Sequence, residues 1–172
     1  MSRPPGRRAF FLDRDGVLNR RAPPGDYVKS AAEFVWLAGA REGVRRLNDE
    51  GWLVLVVTNQ RGIARGLYSA ADVLEIHARA QRELHEVGAH IDGFYFCPHG
   101  DEDRCACRKP QPGLILRAAQ EWNVDLAASF LIGDDARDVE AARRAGVRAR
   151  QIASDANLAQ ALAETLGPPA QP

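Results

Sequence analysis

Residues 52–60 read WLVLVVTNQ, and this stretch decides the fold. Its first six residues are apolar without a break and rich in valine, which is typical of a strand buried on both faces of a parallel sheet. Thr58, Asn59 and Gln60 follow directly, so polar groups stand where the strand ends. In open parallel sheets, ligands bind beyond the carboxyl ends of the strands. The stretch therefore predicts both a buried strand and a candidate binding edge.

Similar apolar runs alternate with helical patterns along the rest of the chain. Apolar residues three and four positions apart predict the helices, one of which opens with the capping pair Ser69 and Asp72. The predicted strands are residues 9–12, 52–57, 91–96, 129–132 and 147–152, and the predicted helices are residues 40–50, 69–87, 113–122, 135–145 and 157–166. This alternation predicts an α/β fold, a three-layer doubly wound parallel sheet with helices on both faces.

Length and composition narrow the class of protein. The 172 residues suit a single domain, 1–172, with proline-rich tails at 1–7 and 167–172. Because 23 basic residues balance 23 acidic ones, we expect no nucleic-acid partner. No apolar run approaches the roughly 18–20 residues of a membrane span, and none near the N-terminus reaches the roughly 7–15 of a signal peptide. We therefore expect a cytoplasmic protein that does not bind membranes. We also expect a monomer, because no long exposed apolar stripe stands out.

Acidic residues follow two of the predicted strands. Asp13 and Asp15 flank an arginine directly after the first strand, and Asp134 follows a later one. Residues two apart in an extended segment point to the same side, where their charges repel unless a cation neutralises them. Mg²⁺ prefers carboxylate and carbonyl oxygens, so these residues are candidate magnesium ligands. A simpler interpretation is that they are turn and cap residues, and for an isolated pair that interpretation would be favoured.

All three cysteines fall within one stretch of eleven residues, CPHGDEDRCAC, residues 97–107. An odd number of clustered cysteines argues against a disulfide framework. Three thiolates and one imidazole complete a tetrahedral structural zinc site, for which the predicted ligands are Cys97, His99, Cys105 and Cys107. The metal would hold a loop whose central residues, 100–104, are too polar to fold alone. The remaining histidines are expected at the surface: His77, His85 and His90.

Four segments, taken together, resemble the four motifs of the haloacid dehalogenase (HAD) superfamily. They are FFLDRDGVLN, VVTNQ, the lysine of CRKP, and LIGDDARDVEAA, and they occur in the superfamily's order between residues 9 and 152. The second aspartate of the first motif is typical of the superfamily's phosphatases. The stretches between the motifs are too short for a large cap domain.

The resemblance implies a mechanism residue by residue. Asp13 would be the nucleophile that forms an aspartyl-phosphate, and Asp15 would be the general acid and then the general base. Mg²⁺ would be bound by the Asp13 carboxylate, the Asp15 backbone carbonyl and Asp134. Thr58 and Lys109 would contact the phosphoryl group, and Asp138 would support the site without binding the metal directly.

The zinc loop followed by CRKP narrows the resemblance to the branch that contains heptose bisphosphate phosphatases and histidinol-phosphate phosphatases. GIARG at 62–66 and the Pro112–Gly113 pair favour the heptose enzymes, which remove the 7-phosphate of D-glycero-D-manno-heptose 1,7-bisphosphate. Histidinol phosphate remains the alternative small-molecule substrate. The resemblance implies a substrate pocket lined by Asn59, Gln60, Arg61, Arg108, Lys109 and Tyr27.

Two positions depart from the pattern of that branch. Arg61 stands where a small residue is common, and Asp135 stands where a lysine often follows the motif aspartate. Both bear on how the distal phosphate or the sugar hydroxyls are held. A non-enzymatic alternative, a zinc-stabilised binding module, leaves the spacing of Asp13, Thr58, Lys109 and Asp134 unexplained.

Overall fold

The structure, a computed structural model, describes residues 6–169 and is built on a five-stranded parallel sheet. The strands are β1 (Ala9–Leu12), β2 (Leu53–Asn59), β3 (Gly93–Cys97), β4 (Phe130–Gly133) and β5 (Arg148–Gln151). The helices are α1 (Ala40–Asp49), α2 (Ala70–His85), α3 (Gly113–Trp122), α4 (Ala136–Ala145) and α5 (Leu158–Leu166), with a short 3-10 helix at Ala31–Glu33.

The strands lie in the order β3-β2-β1-β4-β5, with β1 at the centre. Phe11 of β1 pairs with Leu55 on one side and Leu131 on the other, so the three central strands are in close register. Phe10 and Leu12 pack on one face with residues of α1 and α5, whereas Ala9 and Phe11 pack on the other with residues of α3 and α4. Helices therefore cover both faces, and the predicted fold class is confirmed.

The predicted elements match the observed ones closely, with small shifts at their ends. The strand predicted at 52–57 begins one residue later and extends to Asn59, because Thr58 and Asn59 continue the pairing with β3. The reciprocal capping box of Ser69 and Asp72 opens α2 as predicted. Of the predicted tails, residues 1–5 and 170–172 lie outside the described residues. Arg7, predicted as part of a tail, is instead paired with the segment that follows α3.

The expectation that His77 lies at the surface is wrong. Its side chain is buried against Phe94, with the two rings stacked 4.4 Å apart. Burial lowers the pKa of His77 to about 3, with a further contribution from the charge of Arg14. The imidazole is therefore a neutral packing group and not a surface residue.

Long segments follow the first two strands, but within residues 6–169 neither contains an inserted domain. After β1 the chain forms a loop and the short 3-10 helix before α1, and after β2 it forms α2. The site at the carboxyl edge is therefore covered only by loops. No helix in the described part of the chain is both long enough and apolar enough to cross a membrane.

Candidate active site and cysteine cluster

The carboxyl ends of the central strands converge on one pocket of about 460 Å³. Asp13 follows β1, and its backbone N–H donates to the carbonyl of Ile132 in β4, so the sheet itself fixes its position. Thr58 is the residue before the last in the neighbouring strand β2, and it is buried. The fold thus brings together residues that are 45 positions apart in the chain, as the parallel arrangement predicts.

Three carboxylates, Asp13, Asp134 and Asp138, form the carboxylate cluster. All three residues are buried, and their oxygens lie within 4.8 Å of one another. Burial raises the pKa of Asp13 to about 7 although Lys109 opposes the shift, and burial also raises the pKa of Asp134. Carboxylates pressed together in this way are unfavourable unless a cation joins them.

Both carboxylate oxygens of Asp134 are buried, and Oδ1 takes part in neither a hydrogen bond nor an ion pair among residues 6–169. Its one ion pair in the described chain joins Oδ2 to Nη1 of Arg21, at 3.2 Å. Gly16 makes room for this carboxylate, since a Cβ there would lie 2.1 Å from an Asp134 oxygen. A buried carboxylate oxygen without a partner, beside Asp13, suits a hard cation such as Mg²⁺.

Lys109 supplies a positive charge to the same cluster. Its ammonium lies 3.0 Å from Oδ1 of Asp13 and 2.5 Å from Oδ1 of Asp138, and it donates to the Val57 carbonyl at 2.8 Å. Burial alone would lower the pKa of Lys109, but the two carboxylates outweigh burial and hold that pKa above its usual range. Asn59 fixes the lysine backbone, because its side-chain amide pairs with both the N–H and the carbonyl of Lys109.

Asp15 belongs to a separate set of contacts at the pocket wall. Its carboxylate accepts hydrogen bonds from Arg14, Asn19 and Gln60. Burial would raise the pKa of Asp15, but the Arg14 guanidinium and these hydrogen bonds hold it below its usual value. These contacts therefore favour the ionised form of the side chain and hold it in one orientation.

Gln60 organises this wall. Its amide N–H group donates to Oγ1 of Thr58 and to Asp15, at 2.9 and 3.0 Å, while Tyr68 donates to its carbonyl oxygen. Gln60 lines the pocket, but its side-chain amide is already hydrogen-bonded to other residues of the protein. Thr58 accepts from Gln60 and keeps its own hydroxyl proton for another acceptor.

The cysteine cluster consists of Cys97, His99, Cys105 and Cys107, as the sequence predicts. Cys97 ends β3, and its sulfur lies 3.5 Å from Nδ1 of His99, 3.6 Å from Cys105 and 3.0 Å from Cys107. All three thiols are reduced, and the donors face a common centre. Three sulfurs and one imidazole nitrogen at this spacing fit a closed structural zinc site.

The pocket brings together the residues predicted to line it, including Tyr27, which packs beside Tyr68. Sequence reasoning missed Arg21 and Arg137, which also line it. A signal was available for Arg137, because it lies in the first turn of α4, between the motif aspartates Asp134 and Asp138 at the predicted binding edge. Arg21 had none, because its place depends on the course of a loop with no regular structure.

Comparisons with known proteins agree with this geometry. A family model described as HAD-hydrolase-like matches residues 106–172. The chain is 46% identical to D-glycero-beta-D-manno-heptose-1,7-bisphosphate 7-phosphatase of Rhodopseudomonas palustris, over 83% of this chain and 82% of that protein. It is 42% identical to D-glycero-alpha-D-manno-heptose-1,7-bisphosphate 7-phosphatase of Mycobacterium tuberculosis, over 84% and 76%.

One solved structure is similar over most of its length. It is D,D-heptose 1.7-bisphosphate phosphatase from B. bronchiseptica complexed with magnesium and phosphate, with a TM-score of 0.81 and 39% identity. The match covers 91% of this chain and 86% of that one.

Proposed function

The chain belongs to the HAD-like phosphatases, in the family of the D-glycero-D-manno-heptose-1,7-bisphosphate 7-phosphatases, and from that premise we propose that it hydrolyses the 7-phosphate of this sugar bisphosphate. The observation that carries the proposal is the contact of Lys109 with Asp13, within a cluster that also holds the buried carboxylate of Asp134. An ammonium and a cation-binding carboxylate on either side of a nucleophile provide the charge neutralisation that phosphoryl transfer needs.

Asp13 is the proposed nucleophile. One of its carboxylate oxygens forms a bond to the phosphorus of the 7-phosphate while the bond from phosphorus to the sugar oxygen breaks. Asp15, in its protonated form, gives its proton to that leaving oxygen and becomes ionised. Asp15 then removes a proton from water, the water oxygen bonds to phosphorus, and the bond from phosphorus to Asp13 breaks to release phosphate. The contacts of Asp15 with Arg14, Asn19 and Gln60 favour its ionised form, which is the form that the water step requires.

Thr58 and Lys109 are the proposed phosphoryl-binding groups. The Thr58 hydroxyl, oriented by Gln60, has its proton available for a phosphoryl oxygen. The Lys109 ammonium donates to the Val57 carbonyl and Asn59 holds the lysine backbone, so the ammonium is in place before substrate arrives. Groups that are fixed beforehand need no reorganisation during the reaction.

Mg²⁺ is the proposed catalytic cofactor, with the carboxylates of Asp13 and Asp134 and the Asp15 backbone carbonyl as its ligands. It would supply further neutralisation of the transferring phosphoryl group. The position of the buried Asp134 carboxylate beside Asp13, with Oδ1 in neither a hydrogen bond nor an ion pair among residues 6–169, supports this ligand set. Asp138 accepts from Lys109 and from the backbone N–H of Asp135, which leaves it a supporting role.

Zn²⁺ in the cysteine cluster is the proposed structural metal. The cluster ends directly before Arg108 and Lys109, so the metal would place both cations at the pocket. With four protein ligands the site has no open position for substrate, which is why we assign it no chemistry.

The test of the function is a comparison of kcat/KM for three substrates. They are the α and β anomers of the heptose bisphosphate and L-histidinol phosphate, each assayed for Mg²⁺-dependent phosphate release. We expect one heptose anomer to be preferred over histidinol phosphate. A preference for histidinol phosphate would contradict the proposal, and phosphate release from none of the three would contradict the enzyme class.

We further propose that the protein acts as a monomer, for which light scattering should give a mass near 18.9 kDa. The cytoplasmic location and the single domain of 1–172 stay predictions from sequence, which cell fractionation and a single cooperative unfolding transition would test.

A further inference from the structure

Asp101, in the middle of the zinc loop, joins two arginines that come from distant parts of the chain. Its Oδ1 accepts from Nε of Arg108 at 2.7 Å, and its Oδ2 pairs with Nη1 of Arg61 at 3.0 Å. Arg61 follows β2, whereas Arg108 follows the cysteine cluster. Two guanidinium groups repel each other, so a carboxylate between them is what keeps them side by side.

Both arginines keep donors for a ligand. Each guanidinium has five N–H groups. Asp101 uses Nε of Arg108, and the carbonyl of His99 accepts from its Nη1, so Nη2 stays available. Arg61 is held by Asp101 through Nη1. Both side chains line the pocket that contains Asp13, whereas Asp101 does not line it.

The other arginines of the pocket are already engaged by carboxylates. Arg137 makes a two-point contact with Asp135, at 3.0 and 2.9 Å, and Arg21 pairs with Asp134. The pair formed by Arg61 and Arg108 shares a single carboxylate, which leaves an excess of positive charge on that wall. Paired guanidinium groups are well suited to binding phosphate through two parallel hydrogen bonds.

We propose that Asp101 is a positioning residue that holds Arg61 and Arg108 together as a grip for the second phosphate of the substrate, the one that is not hydrolysed. This inference rests on the proposed function, because a bisphosphate places one phosphate at Asp13 and needs a second anion site within the same pocket. Selectivity for a bisphosphate then depends on a residue of the zinc loop that does not touch the substrate.

The test compares the parent protein with Asp101→Asn, which keeps the size of the side chain and removes its charge. Steady-state kinetics are measured with heptose 1,7-bisphosphate and with heptose 7-phosphate, which lacks the second phosphate. The KM for the bisphosphate should rise roughly three- to tenfold, because a half-exposed charge pair makes a modest contribution. The kcat should change little, and the KM for the monophosphate should change much less than that for the bisphosphate.

Glu102→Gln is the matched control. Glu102 is the next residue of the same loop, it is exposed, and it makes no ion pair or hydrogen bond within residues 6–169. It should leave the KM values for both substrates unchanged. Zinc content and melting temperature of each variant show whether the loop is intact.

Arg61→Gln gives a second route if Asp101→Asn proves unstable. It should also raise the KM for the bisphosphate selectively, and the double variant should show less than the product of the two single effects. If the ratio of the KM values for the two substrates is unchanged in both single variants, the inference is overturned while the proposed function stands. A lower KM for the bisphosphate in Asp101→Asn would overturn it too, since Asp101 would then compete with phosphate. A parent protein inactive on the bisphosphate would contradict the proposed function and this inference with it.

Discussion

The carboxylate cluster and the cysteine cluster are both candidate metal sites, but the protein assembles them in different ways. Asp13, Asp134 and Asp138 lie at strand ends and around a helix start, where the sheet fixes their positions, and Lys109 places a cation among them. In the cysteine cluster, Cys97 ends β3 and the other three donors lie on the loop that follows, with the four donors facing one another. The sheet fixes the positions of the carboxylate cluster, whereas the cysteine cluster holds its own loop together.

This difference predicts different consequences when metal is lost. The lysine already balances part of the charge of the carboxylate cluster, so the fold should persist without Mg²⁺. The zinc loop has four exposed residues in succession, 101–104, and little apolar surface to bury. Its order should therefore depend on the metal.

The largest effect should come from Asp13→Asn, which tests the chemistry of the carboxylate cluster. An amide cannot attack phosphorus, so phosphate release should fall by at least about 10⁴-fold. The circular dichroism spectrum should stay that of the parent, because the backbone contact of Asp13 with Ile132 does not involve its side chain. Asp49→Asn, which removes an exposed carboxylate on α1, is the control and should be fully active. Turnover by Asp13→Asn close to that of the parent would contradict the mechanism.

Lys109→Met tests whether a cation already inside the carboxylate cluster stabilises it. The change leaves Asp13 and Asp138 buried without their ammonium partner, which should lower the free energy of unfolding by about 3–5 kcal/mol. Mg²⁺ should restore more stability to this variant than it adds to the parent. Urea unfolding with and without Mg²⁺ measures both effects, with Lys29→Met at the surface as control. Equal stability of variant and parent without Mg²⁺ would show that the lysine does not have this role.

Cys105→Ser tests the other cluster. Zinc content should fall from about one per chain, and proteases should cut the loop at 100–104 more quickly. Because Arg108 and Lys109 follow the loop directly, kcat/KM should fall by about a hundredfold while the sheet stays folded. Ala106→Ser, between the two cysteines, is the control and should keep its zinc. A parent protein that is fully stable and free of zinc would contradict the structural role of the metal.

His77→Leu should have the smallest effect. It tests how much of the loss of folding stability at low pH comes from this buried histidine and not from the carboxylate and cysteine clusters. The folded-state pKa of His77, about 3, lies below its usual 6.5, so the unfolded chain binds the extra proton. Its contribution to stability should therefore be lost as the pH falls below 6.5, by about 1.4 kcal/mol for each pH unit. Between pH 6.5 and 5, the free energy of unfolding plotted against pH should have a smaller slope in the variant, and the difference should correspond to about one bound proton. His85→Leu, at an exposed position of the same helix, should leave the slope unchanged, and an unchanged slope in His77→Leu would contradict the assignment.

Much of the fold follows from the sequence because its signals are local. The run at 52–57 is apolar on both faces since both faces of β2 are covered, and the spacing of α2 is typical of an amphipathic helix. The proximity of Asp13 and Thr58 also follows, because parallel strands end at the same edge. The cysteine spacing predicts its own cluster for the same reason, since all four donors lie within eleven residues.

Contacts between side chains of distant segments could not be predicted in this way. His77 is buried because its ring stacks on Phe94 of β3, and a histidine in the sequence of α2 gives no local sign of that contact. The bridge from Asp101 to Arg61 and Arg108 depends on side-chain directions across three separate segments. Charged residues at those positions are equally compatible with a solvated surface.

The most direct test of the central claim is ³¹P NMR of D-glycero-D-manno-heptose 1,7-bisphosphate incubated with the protein and Mg²⁺. The resonance of the 7-phosphate should disappear as inorganic phosphate appears, while the 1-phosphate resonance remains. Loss of the 1-phosphate first, or no change in either resonance, would contradict the account.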